Sequence, residues 1–195
     1  MKTLETTDLS KWPRLSAMQL REYAQGDYIR RQENLILLGK HGSGKTHAAI
    51  ALGVEACRRG YRTGFYTAAD LVNTLVEAQD EKQLKRFLHR LKKYQLLILD
   101  ELGYLPLSRP GAQLLFQVFA DRYEQSSVIV TSNLPFAQWN GIFAGDVNLT
   151  AALLDRLTHC CEIHQFDWES LRLAESLKRN QQPKTANQPV SRTEV

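Results

Sequence analysis

Gly39-Lys40-His41-Gly42-Ser43-Gly44-Lys45-Thr46 is the stretch on which the reading of this chain turns. It follows the apolar run Leu35-Ile36-Leu37-Leu38 and precedes the helix-forming run His47-Ala48-Ala49-Ile50-Ala51-Leu52. Strand, turn and helix form the setting in which G-x-x-x-x-G-K-[ST] works as a phosphate-binding loop. The glycines let successive backbone N–H groups curl round a phosphate, and the helix behind turns its positive end toward the same anion. Residues 39–47 are therefore expected to hold a nucleotide. Lys45 would reach its β- and γ-phosphates, and the Thr46 hydroxyl would enter the shell of a Mg²⁺ ion.

Working outward, Leu96-Leu97-Ile98-Leu99-Asp100-Glu101 is an apolar run that ends in two carboxylates. Such a run reads as a buried parallel strand. At its end Asp100 is placed to hold Mg²⁺, and Glu101 to act as the general base that orients and polarises an attacking water. An apolar strand ending in Asp-Glu is common by itself. Beside the phosphate-binding loop it implies nucleotide hydrolysis.

The composition fits this. With 195 residues, 43% hydrophobic and 24% charged, the chain supports one domain with an ordinary core. No apolar stretch approaches membrane-spanning length, and Met1-Lys2-Thr3-Leu4-Glu5 lacks the apolar segment of a signal peptide, so a cytoplasmic protein with no membrane partner is expected. The net charge of +4 permits a nucleic-acid partner without requiring one. Three cysteines, Cys57, Cys160 and Cys161, do not make a disulfide framework. His159, Cys160, Cys161 and His164 lie on a predicted strand, where neighbouring side chains point to opposite faces, and do not read as a metal site.

Flanking elements follow from periodicity and punctuation. Ser16 with Gln19 reads as a capping box and Leu15 with Leu20 as a hydrophobic staple, predicting a helix from Ala17 to Arg31. The helix after the loop is expected to end near Gly60, followed by a strand from Arg62 to Tyr66 and a helix opened by Thr67 and Asp70. Residues Glu81 to Tyr94 read as one amphipathic helix with Leu84, Phe87, Leu88 and Leu91 on its buried face. Its other face is basic, with Lys82, Lys85, Arg86, Arg90, Lys92 and Lys93. A solvated face and a contact with nucleic-acid phosphates explain it equally well. A helix from Pro110 to Glu124, a strand from Ser127 to Thr131, a helix from Leu149 to Leu157 and a strand from Cys160 to Phe166 complete an alternating β–α order. That order predicts an α/β fold, a parallel sheet with helices on both faces. From Gln181 the chain is polar and poor in apolar residues, which predicts disorder.

Gly42-Ser43-Gly44-Lys45-Thr46-His47, together with three further runs, resembles the IstB-like ATPases, the transposition helpers encoded beside the transposase in certain bacterial insertion sequences. The runs are Asp100-Glu101-Leu102-Gly103-Tyr104-Leu105-Pro106-Leu107, then Thr131-Ser132-Asn133-Leu134-Pro135-Phe136 with Trp139, and Leu153-Leu154-Asp155-Arg156-Leu157. That family is similar to DnaC-type helicase loaders and belongs to the AAA+ class of P-loop NTPases. The resemblance runs from about Arg14 to Leu173. It implies Mg²⁺-dependent hydrolysis of ATP to ADP and phosphate, with double-stranded DNA and a transposase as partners and a homo-oligomer formed with ATP and DNA. It also implies roles for single residues. Asn133 resembles the sensor that positions the hydrolytic water and reads the γ-phosphate, where a plain turn-forming Asn is the alternative. Arg156 resembles the arginine finger inserted into a neighbouring subunit's ATP site, where an ion pair with Asp155 is the alternative. Lys85, Arg86, Lys92 and Lys93 lie where initiator-type relatives carry a helix facing DNA. Arg172 resembles part of a family pattern to which no role is attached.

The resemblance divides the chain into a short lead-in and helix over residues 1–33, an AAA+ core over 34–173 and a polar tail over 174–195. Two departures stand out. The loop arrives at Gly39, leaving room for little more than one helix before it, and no C-terminal helical lid is expected. A DnaC-like helicase loader is the nearest alternative function. A P-loop kinase fits less well, because no Arg-rich lid or acceptor pocket is evident and Asp100-Glu101 favours water as the acceptor.

Overall fold

The apolar runs become the middle of a sheet. In the computed structural model, which describes residues 17–167, the strands are β1 (Asn34–Gly39), β2 (Thr63–Thr67), β3 (Leu96–Leu102), β4 (Ser127–Ser132) and β5 (Cys161–Phe166). They lie in the order β2-β3-β4-β1-β5, every neighbouring pair parallel. Side chains alternate between faces along each strand. Ile36, Leu38, Leu97, Leu99, Val128 and Val130 enter one core, and Leu35, Leu37, Leu96, Ile98 and Ile129 enter the other. A sheet buried on both faces needs apolar residues at consecutive positions, which is why these runs show no alternation.

Helices α1 (Ala17–Gln25), α2 (Asp27–Arg30) and α3 (Lys45–Arg58) cover one face through Leu20, Tyr23, Tyr28, Ile29, Ala48, Ala49, Leu52 and Ala56. Helices α4 (Ala68–Asp80), α5 (Leu84–Leu91), α6 (Arg109–Arg122), α7 (Trp139–Ile142) and α8 (Val147–Thr158) cover the other. Handedness dictates this division. The chain leaves β1 toward β2 at one edge and then returns through β3 and β4 to β5. A right-handed crossover must change face when the direction reverses. The loop after β1 sits where the connections diverge, the usual place for a ligand in such sheets.

Helix starts follow the expected chemistry. Oγ1 of Thr67 accepts from the Asp70 N–H at 3.1 Å, Oγ of Ser108 from Gly111 at 3.2 Å and Oδ1 of Asp146 from Leu149 at 2.9 Å. Arg122 is 3% exposed and donates to the carbonyls of Leu91, Tyr94 and Ser127, tying the end of α5 to the starts of β3 and β4. Burial lowers its pKa to about 10.

Two predicted helices are corrected. The helix expected from Ala17 to Arg31 breaks at Gly26, whose φ of 78° separates α1 from α2. The helix expected from Glu81 to Tyr94 is only Leu84–Leu91: Lys82 adopts φ 57°, which delays its start, and Lys92 caps its end. The apolar quartet Leu84, Phe87, Leu88 and Leu91 defines the part that packs, and the polar flanks do not extend it. A 3₁₀ turn (Phe136–Gln138) and α7 carry no periodic signal in the sequence, being too short to show one. Trp139 is fully buried there and donates Nε1–H to the Leu134 carbonyl at 3.1 Å. The Ser16 cap, the tail, the place of a lid and Arg172 lie outside the described residues. Among the described residues no helix is long and apolar enough to cross a membrane.

Candidate functional site

The ends of three adjacent strands carry the predicted site. Residues 40–44 form the turn between β1 and α3, with Gly42 at φ 76° and Gly44, the N-cap of α3, at φ 102°. Those values admit glycine far more readily than other residues, so the sequence motif follows directly from the turn. Ser43 is buried and its hydroxyl donates to the Lys40 carbonyl at 2.8 Å. Lys45 is 8% exposed, and its Nζ donates to the carbonyls of Gly39 and Lys40 at 2.7 and 2.8 Å. The ammonium is therefore folded over the loop it serves. His47 lies in the first turn of α3.

Thr46 meets the acidic strand. Its hydroxyl donates to Oδ1 of Asp100 at 3.0 Å, and the Thr131 hydroxyl donates to the same oxygen at 2.5 Å. Asp100 is 3% exposed, so these hydroxyls replace water as its donors. Thr131 also accepts the Glu101 N–H at 2.9 Å. The pairing register explains the unusual partner. Leu99 faces Val130 and Leu102 faces Ser132, leaving Asp100 and Glu101 opposite Thr131 alone. This is a β-bulge, which re-aims side chains at the end of a strand. Glu101 has φ 60°, a strained value for a non-glycine residue, and its side chain is exposed while that of Asp100 is buried. Sequence reasoning found both carboxylates but missed Thr131, whose only signal was a hydroxyl in a fully buried strand.

Asn133 follows β4, and its Nδ2 lies 2.9 Å from Nε2 of His41 in the glycine-rich loop. The His41 ring meets Tyr104 edge-on, with centroids 6.4 Å apart. Lys45, Thr46, Asp100, Glu101, Asn133 and His41 are thus gathered at the carboxyl ends of β1, β3 and β4. Their chemistry suits a polyphosphate and its metal: backbone N–H groups at a helix start, one ammonium, one hydroxyl, a buried carboxylate and an exposed one.

Other predicted residues lie apart. Arg156 is in the last turn of α8, at the start of β5 and hence at the opposite end of the parallel sheet. Its guanidinium donates to the Ala152 carbonyl at 2.8 Å and lies 5.2 Å from the centre of the Phe116 ring, and among the described residues it makes no ion pair with Asp155. It lines a small surface cleft with Arg31, Asn34, Tyr123, His159 and Cys160. On α5, Lys85 and Arg86 are exposed, Lys92 pairs with Asp121 at 3.2 Å, and Lys93 follows the helix end, also exposed. Of the four residues expected on one strand, only Cys161 and His164 lie on β5, whereas His159 caps α8 with its Nδ1 3.8 Å from Sγ of Cys160. His159 lies 3.0 Å from Oη of Tyr123, whereas His164 lies 2.7 Å from Oη of Tyr23, which donates to Glu162 at 2.5 Å. Burial, partly countered by Glu162, lowers the pKa of His164, and burial pushes the Cys161 thiol up to about 12.

With this geometry in view, the IstB-like ATP binding protein family matches residues 1–179. The chain belongs to that family. A relative named as a putative ATP-binding protein of insertion sequence IS5376, from Geobacillus stearothermophilus, is 45% identical over 96% of this chain. Another, named for insertion sequence IS21 of Pseudomonas aeruginosa, is 43% identical over the whole chain. In both cases the match covers 73% of the relative's length. Among solved structures, a DNA replication initiation factor is similar at TM-score 0.72 and 23% identity, over 92% of this chain and 53% of its own. The DnaC helicase loader is similar at TM-score 0.63 and 22% identity, over 76% of this chain and 86% of its own. At such identities the structural likeness speaks for the fold alone, an α/β parallel sheet with helices on both faces.

Proposed function

We propose that this IstB-like chain is a cytoplasmic, Mg²⁺-dependent ATPase that assembles on double-stranded DNA and serves as the helper of a transposase. The observation that carries the ATPase reading is the 3.0 Å hydrogen bond from Thr46 to Asp100. It brings the hydroxyl of the phosphate loop to the buried strand-end carboxylate, the pair that holds Mg²⁺ in P-loop hydrolases. The helper reading rests on the relatives named for insertion sequences.

In this reading residues 39–47 hold the triphosphate, chiefly through backbone N–H groups. Lys45 exchanges the carbonyls of Gly39 and Lys40 for β- and γ-phosphate oxygens. Thr46 and Asp100 would hold Mg²⁺, which when bound supplies positive charge to the phosphate oxygens. Glu101, turned out by the bulge, takes the proton of the attacking water. Asn133 orients that water. Arg156 acts on a neighbouring subunit, where a guanidinium stabilises charge spread over the transferring phosphoryl group.

Two substitutions test this. Lys45→Ala should lose most ATP affinity in a binding titration. Glu101→Gln should keep binding while hydrolysis falls by ~10²–10⁴-fold, the range for a lost general base. Hydrolysis by Glu101→Gln at the parental rate would show that another group activates water. The helper role is read in a transposition assay in which the transposase is supplied with the parent chain or with Lys45→Ala, and equal transposition would sink it.

A further inference from the structure

The carboxamide of Asn133 is tied to the phosphate loop by a side chain that the motif leaves open. Any residue satisfies the third position of G-x-x-x-x-G-K-[ST], and here it is His41. Nε2 of His41 lies 2.9 Å from Nδ2 of Asn133. An amide nitrogen donates and does not accept, so this contact is a hydrogen bond in the tautomer that carries the imidazole proton on Nδ1 and leaves Nε2 as acceptor. The ring also meets that of Tyr104 in a T-shaped arrangement, at 83° and 6.4 Å between centroids. Three separate segments meet here: the turn after β1, the turn after β3 and the end of β4.

A carboxamide has one accepting end and one donating end, and rotation by 180° exchanges them. Nothing in the shape of Asn133 itself chooses between the two. In the tautomer of His41 that carries its proton on Nδ1, Nε2 makes the choice, because the reversed amide would then set two lone-pair-bearing atoms against each other. We propose that His41 is a positioning residue, which by accepting from Nδ2 leaves Oδ1 of Asn133 as the end available to the attacking water. The inference rests on the ATPase reading and adds a specificity of orientation to it. The phosphate interactions expected at position 41 would come from the backbone. They survive replacement of the side chain, so the imidazole affects turnover and not ATP binding.

The test is a double-mutant cycle in steady-state ATP hydrolysis, with duplex DNA present and protein concentration high enough for the rate per molecule to be constant. His41→Phe keeps a ring against Tyr104 and removes the acceptor. His41→Gln places an amide oxygen near the position of Nε2 and restores it. The loss of a single hydrogen bond corresponds to a fall in kcat of roughly 3- to 10-fold, and His41→Phe should show this with KM for ATP changed by less than about twofold. His41→Gln should keep most of the parental kcat. In an Asn133→Ala background, His41→Phe should have no further effect, since the group it orients is gone. The proposal is overturned if His41→Phe lowers kcat by the same factor in both backgrounds. It is also overturned if His41→Phe raises KM and spares kcat, or if Gln is as poor as Phe. A parent chain that hydrolyses no ATP would sink the ATPase reading and this proposal together, whereas an active parent with an additive cycle sinks this proposal alone.

Discussion

Asp100 is buried, and one of its oxygens carries two hydroxyl donors, Thr46 from the phosphate loop and Thr131 from the neighbouring strand. Thr131 has a second task, because its oxygen accepts the N–H of Glu101 across the bulge. Thr131→Val keeps the volume, so no cavity forms. It leaves the Glu101 N–H unpaired and removes one donor from a buried carboxylate, a loss of about 1–3 kcal/mol for a buried group left unsatisfied. The substitution should lower the unfolding free energy by about that amount in urea denaturation, and it should also reduce kcat, since the bulge that aims Glu101 loses a support. A variant of parental stability and rate would show that the bulge is held by the strand ladder alone. The glycine-rich loop was legible in sequence because its positive φ values at Gly42 and Gly44 restrict the residue type. The bulge was not. Asp-Glu after an apolar run looks the same whether the ladder continues or slips by one residue, and Glu101 at φ 60° carries no mark of it.

At the scale of elements, existence and type were readable where the apolar pattern was long, as in β1, β3, β4 and α3. Boundaries were not readable where a single residue adopts a left-handed backbone, as Gly26 and Lys82 do. Helix α5 shows the functional consequence. Shortened to Leu84–Leu91, it anchors itself by Phe87, Leu88 and Leu91 and leaves its basic side chains unequally engaged. Arg90 stacks over Phe87 at 4.7 Å, and Lys92 pairs with Asp121 at 3.2 Å. Lys85, Arg86 and Lys93 are exposed and open to phosphates. If this face meets DNA, replacing Lys85, Arg86 and Lys93 with Gln should weaken duplex binding and flatten its salt dependence, by ~0.9 in the log–log slope for each phosphate no longer neutralised. Lys92→Gln alone should have less effect, because part of its charge is already answered by Asp121. A fluorescence titration in which the triple replacement leaves the slope unchanged would return α5 to a solvated surface.

At the scale of the whole molecule, the parallel sheet separates the two parts of the proposed catalytic apparatus. The phosphate loop, Asp100, Glu101 and Asn133 lie at the carboxyl ends of the strands, and Arg156 lies at the start of β5. Six residues of β1 span the distance between those ends, ~20 Å at about 3.3 Å per residue. Arg156 therefore cannot serve the ATP site of its own subunit, and a role in hydrolysis requires a neighbour. Contact between one end of a subunit and the opposite end of the next is heterologous, so assembly gives a ring or an open helix and not a two-fold dimer. Activity per molecule should then rise with protein concentration, and ATP and DNA should promote assembly by bridging subunits and raising their effective concentration. Mixing two inactive variants, Lys45→Ala and Arg156→Ala, gives the decisive reading. Some mixed interfaces pair an intact phosphate loop in one subunit with an intact Arg156 in the other, and these should recover part of the hydrolysis. Recovery should grow with total protein and with added duplex DNA, and it should vanish when Lys45→Ala also carries Arg156→Ala, because no interface then has a finger facing a competent site. If sedimentation shows that ATP and DNA assemble the mixture and hydrolysis still does not return, Arg156 is not a finger acting in trans, and its place over Phe116 is a packing role within one subunit.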